Sequence, residues 1–138
     1  MAYIFHEEKL PRLVAEVPGR ERIFFVSKDL TNTDVMLAGV MHYAADGQSP
    51  YHFHENCEHF YFIMEGNGKV ETEEGVTPVG PGTMVFIPAE AKHRLRADGT
   101  PLFYFEFQAP NNFKTTILDG TPAELRWNKV DGGVWVQS

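Results

Sequence analysis

Apolar and polar positions alternate along short stretches of this chain, at residues 12–17, 22–27, 35–43, 58–65, 69–73, 84–87, 93–96 and 102–108. A period of two turns one face of each stretch inward and the other toward water, the pattern of a β-strand with one buried side. Most stretches are rich in Phe, Tyr, Val and Ile, which suit a pleated, half-buried surface. Each closes on turn-forming residues, among them Pro18-Gly19, Asp46-Gly47, Gly66-Asn67-Gly68, Gly80-Pro81-Gly82 and Asp98-Gly99. Short strands punctuated by turns in this way predict an all-β sandwich or barrel.

The tail, residues 109–138, reads differently. Thr121-Pro122-Ala123-Glu124 places Thr at an N-cap, Pro at the first helical position and Glu where a capping box needs it, so a short helix is expected there. Gly132-Gly133 limits its length, and Val134-Trp135-Val136 then alternates like a strand. Both tryptophans, Trp127 and Trp135, lie in this tail, which is therefore expected to pack on its own barrel or on a partner subunit. The expected organisation is one domain over residues 1–138, with N-terminal strands within 1–34, a core barrel over about 35–108 and the tail beyond.

Composition narrows the function. With 12 basic against 19 acidic residues and no cluster of Lys or Arg, the chain lacks the footprint of a nucleic-acid binder or of a protein drawn to anionic membranes. No apolar run is long enough to span a bilayer, and the N-terminus does not read as a secretory signal. A single cysteine, Cys57, cannot form an internal disulfide and fits a reducing, cytoplasmic setting.

The candidate chemistry lies in the histidines. His52 and His54 flank Phe53, so on a strand their imidazoles share a face. Two side-by-side imidazoles are costly to bury alone and well suited to holding one ion. His93 follows a glycine turn, a short apolar strand and Pro88, and a later strand of the same sheet can carry it across to the first pair. His6 and His42 belong to neither stretch and are read as structural, although the strand bearing His42 runs near the cavity. Cys57 is read as a small buried apolar side chain. Glu106, between Phe105 and Phe107, is a candidate acid–base group if it faces inward, since burial would raise its pKa; Tyr61 is a second candidate. Tyr61, Phe86, Tyr104 and Phe107 are expected to fill the barrel interior.

Taken together, the stretch from Gly47 through His52, His54 and Glu58-His59 to Gly66, and the stretch from Gly82 through Pro88 to His93, resemble the two motifs of the cupin superfamily. The likeness spans about residues 35–108. Glu90 stands where the second motif has a glycine, and Ala97 where it has an asparagine. The resemblance implies a double-stranded β-helix, or jelly-roll barrel, an inward-facing site for one divalent transition metal (Fe, Mn, Ni, Zn or Cu), and a homodimer. His52, His54 and His93 would be ligands. Six residues separate His59 from Gly66, the spacing of the family's glutamate, which makes His59 the fourth ligand and leaves Glu58 as the alternative. Apolar surface on the N-terminal strands and the Trp-bearing tail also points to a homodimer.

Two functions follow as expectations. One is a metal-dependent enzyme acting on a small organic molecule inside the barrel, by oxygenase chemistry or by Lewis-acid chemistry of the isomerase, cyclase or lyase kind. The other is a non-catalytic metal- or ligand-binding module.

Overall fold

The computed structural model describes residues 1–111 and 113–136, without the side chains of residues 135 and 136. In chain order the elements are β1 (Leu13–Ala15), β2 (Arg20–Val26), α1 (Lys28–Thr31), β3 (Leu37–Tyr43), β4 (Tyr51–Glu55), β5 (Glu58–Glu65), β6 (Gly68–Thr72), β7 (Gly75–Val79), β8 (Met84–Ile87), β9 (His93–Ala97), β10 (Leu102–Ala109), β11 (Lys114–Asp119), β12 (Arg126–Lys129) and β13 (Val134–Val136). They form two antiparallel sheets. The larger runs β13-β12-β1-β2-β3-β10-β5-β8 and the smaller β11-β4-β9-β6-β7. Among the described residues the ladders do not close on themselves, so each sheet keeps two edges. One edge strand, β7, carries Pro78, which such a position tolerates because it donates no ladder hydrogen bond.

The alternating runs foretold most of this. The inner face of β10 is Leu102, Tyr104, Glu106 and Gln108, in strict alternation with half-buried Phe103, Phe105, Phe107 and Ala109. On β5 the inward residues are His59, Tyr61 and Ile63. Residues from both sheets, including Ile63, Leu95, Leu102 and Tyr104, share one apolar core. Two aromatics expected inside are outside: Phe86 is 51% exposed and Phe107 is half-buried on the outer face. Phe86 pairs with Phe60 across β8 and β5, so both belong to the face opposite that of His59 and Tyr61. The alternation was legible; which phase faced inward depended on the neighbouring strand.

The tail corrects a second expectation. Pro122–Leu125 forms a single 3-10 turn rather than an α-helix, and Thr121 makes no side-chain cap bond. The reason lies in Arg20, whose guanidinium donates to the Glu124 carbonyl at 2.9 Å and pairs with its carboxylate at 3.8 Å. That tie holds Glu124 to the start of β2, and the chain leaves at once into β12. There Trp127 is fully buried, with the guanidinium groups of Arg20 and Arg22 over its ring at 5.0 and 5.1 Å. The tail thus packs on its own chain through Trp127. The Trp135 side chain lies outside the described residues.

Gly66 shows why one motif glycine is required: its φ is +84°, and a Cβ there would run into the Pro101 carbonyl. Glu90, where the resemblance called for glycine, also sits in the left-handed region at φ +68°.

Candidate metal centre

Alternation on β4 turns His52 and His54 inward and leaves Phe53 half-buried on the other side. His93, the first residue of β9, pairs directly with His52 across the sheet. His59 comes from β5 in the facing sheet, and its neighbour Glu58 is exposed. The fold therefore brings together all four histidines, each at most 7% exposed. Ring centroids lie 4.2 Å apart for His52 and His93, 4.8 Å for His52 and His54, 4.8 Å for His59 and His93, and 4.9 Å for His54 and His59.

The first three form the tightest set, with one ring nitrogen from each of His52, His54 and His93 within 4.8 Å of the others. Two nitrogens bound about 2.1 Å from a common ion lie at most about 4.2 Å apart, so a small side-chain adjustment completes the cradle. Their other nitrogens are already engaged. Nδ1 of His52 lies 2.6 Å from the Pro50 carbonyl, that of His93 2.8 Å from the Ala91 carbonyl, and that of His54 2.8 Å from Thr115 Oγ1. An Nδ1–H donated to a backbone carbonyl fixes the tautomer and leaves Nε2 as a lone-pair donor, which is how a bound metal is oriented by its surroundings. His93 Nε2 is buried and has no hydrogen-bond partner among the described residues. Such an orphaned acceptor calls for an occupant.

Electrostatics point the same way. Burial, with the other histidines adding to it for His54, holds His54 down at about 2, and burial holds His93 at about 4; His52 and His59 are also pushed well below the usual imidazole range. All four are neutral at pH 7, the form that ligates a metal. The donor set fits a divalent transition ion.

His59 is held by a separate network. Its Nε2 is 3.4 Å from the Tyr61 hydroxyl, and its Nδ1 3.5 Å from Gln108 Nε2. Gln108 donates to Glu106 Oε1 at 2.6 Å, while Glu106 Oε2 accepts from Arg22 at 3.3 Å. A buried polar chain thus runs from Arg22 to His59. Burial raises the Glu106 carboxyl above its ordinary value, although Arg22 and Arg20 pull the other way. Burial likewise lifts the Tyr61 phenol well above its usual range. Glu106, Tyr61, His52 and His54 line one small space of about 30 Å³, room for one or two waters, which His59 and His93 do not line.

The remaining candidates lie elsewhere. His42 is exposed and stacks on Phe103 at 4.2 Å. His6 caps a short 3-10 turn at the N-terminus, accepting from Glu8 N–H at 3.2 Å. Cys57 is buried, with its thiol pushed up to about 11 chiefly by desolvation, which leaves it unreactive at neutral pH. Sequence reasoning missed Thr115, Gln108 and Arg22. Gln108 alone carried a signal, since it shares the inward phase of Glu106 on β10.

A family model for the cupin domain matches residues 39–106, which include all four histidines and run from β3 into β10. The chain belongs to the cupin superfamily. No curated protein matches the sequence. Among solved structures, this cupin is similar to the polyketide cyclase RemF from Streptomyces resistomycificus, with 20% identity over 90% of each chain and a TM-score of 0.75. It is similar to a cupin-superfamily sugar phosphate isomerase from Silicibacter pomeroyi, at 14% identity over 98% of this chain and 93% of the other, TM-score 0.73. A third likeness is to a predicted oxalate decarboxylase from Thermotoga maritima, at 18% identity over 78% and 99%, TM-score 0.68. At these identities the likeness establishes the cupin fold. The second-motif turn is tied to the centre as well, because Glu90 N–H donates to the His54 carbonyl at 2.9 Å.

Proposed function

We propose that this cupin is a metal-dependent enzyme that acts on a small organic molecule, with one divalent transition ion held by His52, His54 and His93 and by His59 as fourth ligand. The observation that carries the reading is the buried Nε2 of His93, which has no partner among the described residues, amid neutral imidazoles whose Nδ1 atoms are pinned. An ion in this all-nitrogen site keeps most of its charge and supplies Lewis acidity to a substrate carbonyl or hydroxyl. The chain's own residues supply the rest. Gln108 steadies the His59 ring. Glu106, with its raised pKa, and the Tyr61 hydroxyl stand where a proton is exchanged with a molecule beside the ion. Of the two chemistries expected, Lewis-acid isomerisation, cyclisation or lyase-type cleavage is the better supported, because the similar cupins include a cyclase, a sugar phosphate isomerase and a predicted decarboxylase.

The small inner space also favours a second reading, a coordinatively closed ion in a non-catalytic binding module. Metal analysis after purification tests the site: about one equivalent of ion per chain is expected, lost when His52 and His54 are both changed to Ala. Full occupancy in that double variant would refute the ligand set. Exchangeable water on the bound ion, read by relaxation of solvent protons on a manganese-loaded sample, separates the open catalytic site from the closed one.

The same reading makes the 138-residue chain one cytoplasmic domain that works as a homodimer. Its support has shifted from the tail, where Trp127 is already covered, to the outer face of β5 and β8, where Phe62, Met84 and Phe86 are exposed. No helix among the described residues is long and apolar enough to cross a membrane.

A further inference from the structure

The space lined by His52, His54, Tyr61 and Glu106 measures about 30 Å³, room for one or two waters. A second, larger cavity lies on the other side of the Phe113 ring. It measures about 420 Å³, within the ordinary range for small-molecule sites, and opens between β1, β2, α1 and the segment entering β11. Its walls include Leu13, Phe24, Leu30, Leu37 and Phe113.

Two of these rings are partitions shared with the metal centre. Phe113 is 7% exposed, and its ring stands edge-on to His54 with centroids 4.9 Å apart. Phe24 carries the Arg22 guanidinium at 4.1 Å, and Arg22 lines the inner space. The rim bears Lys28 and Lys129 against Asp29 and Asp34, with Lys28 and Asp34 paired at 3.2 Å, so it presents no net charge.

We propose that this cavity binds a neutral, flat, mainly apolar molecule, seated against Phe113 and Phe24, with the Phe113 ring between it and His54. That binding is independent of the metal-enzyme reading. Apolar and aromatic walls with a charge-balanced rim suit a fused or substituted ring better than a phosphate or sulfonate, whose charge Asp29 and Asp34 oppose as much as Lys28 and Lys129 attract it.

The test is a titration of methyl-labelled protein, metal-free and zinc-loaded, with 2-naphthol, naphthalene-2-sulfonate and glucose 6-phosphate. The expected result is that 2-naphthol shifts the methyl signals of Leu13, Leu30 and Leu37 in both forms, and that the two anions bind at least tenfold more weakly. Leu30→Trp, which fills the cavity from the short helix, should weaken 2-naphthol binding at least tenfold without changing zinc content. Leu30→Ala, the milder change at the same place, should leave binding within about threefold. The proposal is overturned if 2-naphthol leaves those methyls unmoved, if Leu30→Trp binds it as well as the parent does, or if glucose 6-phosphate is the tighter ligand. Should Leu30→Trp not fold, the methyl shift map and Leu30→Ala decide alone. Naphthol binding in a protein that takes up no zinc would sink the metal reading and leave the pocket standing; stoichiometric zinc without naphthol shifts would do the reverse.

Discussion

Arg22 and Glu106 make the most exacting test of the interior. Their side chains are 4% and 8% exposed and meet at 3.3 Å. Arg22→Met removes the cation but leaves a buried carboxylate with Gln108 as its remaining partner, a change that costs about 3–5 kcal/mol. At this chain length that is a fall in Tm on the order of 10–20 °C. Glu106→Gln should cost less, about 2–4 kcal/mol, because the guanidinium stays between the Phe24 and Trp127 rings. The double variant removes both charges and should lie within about 2 kcal/mol of the parent, a strongly non-additive cycle.

The pH dependence has a definite sign. Loss of Arg22 lets burial raise the Glu106 carboxyl further above its unfolded value. The folded state then binds the proton more tightly than the unfolded one, so stability rises as pH falls through the raised value. Urea denaturation at about pH 7.5 and about pH 5, taken as differences from the parent, should show the Arg22→Met deficit shrinking on acidification. Additive single effects, or a deficit independent of pH, would show that the pair does not carry buried charge.

The other predictions concern the metal centre and its turn. His59→Ala should weaken metal binding by on the order of 10–100-fold or more, with Glu58→Ala near the parent, in a competition titration with a chelator; the opposite order would make Glu58 the ligand. Metal-free protein should lose stability as pH drops below about 6.5, because the unfolded chain protonates imidazoles that the folded chain keeps neutral, His93 down to about 4. The slope is about 1.4 kcal/mol per pH unit for each such histidine, and a flat profile in urea denaturation would contradict their burial as neutral groups. Glu90→Gly relieves a left-handed backbone at a cost of about 1 kcal/mol in the folded state but adds freedom to the unfolded chain, so a Tm equal to the parent's or up to about 4 °C higher is expected. A fall of more than that size in differential scanning calorimetry would mean the Glu90 side chain itself stabilises the turn.

Local rules were enough for much of this protein. A period of two on β5 and β10, and glycines or prolines between runs, fix strands whatever surrounds them, because each rests on backbone geometry and one buried face. The spacing His52-Phe53-His54 fixed two imidazoles on one side in the same way, and counting back from Gly66 put His59 inward and Glu58 out. What local rules could not supply was every contact between residues far apart in the chain. Phe86 and Phe107 alternate as core residues do, yet face outward, since the phase of a strand is set by its partner's register. The 3-10 turn at Pro122–Leu125 replaced a helix because Arg20, about a hundred residues earlier, claimed Glu124. Thr115 on His54, and Arg22 at the end of the chain of hydrogen bonds to His59, are equally remote pairings. Residue type and spacing decided which side chains could bind an ion; strand pairing across the two sheets decided what holds them, how far their protons are driven off, and how little room remains beside them.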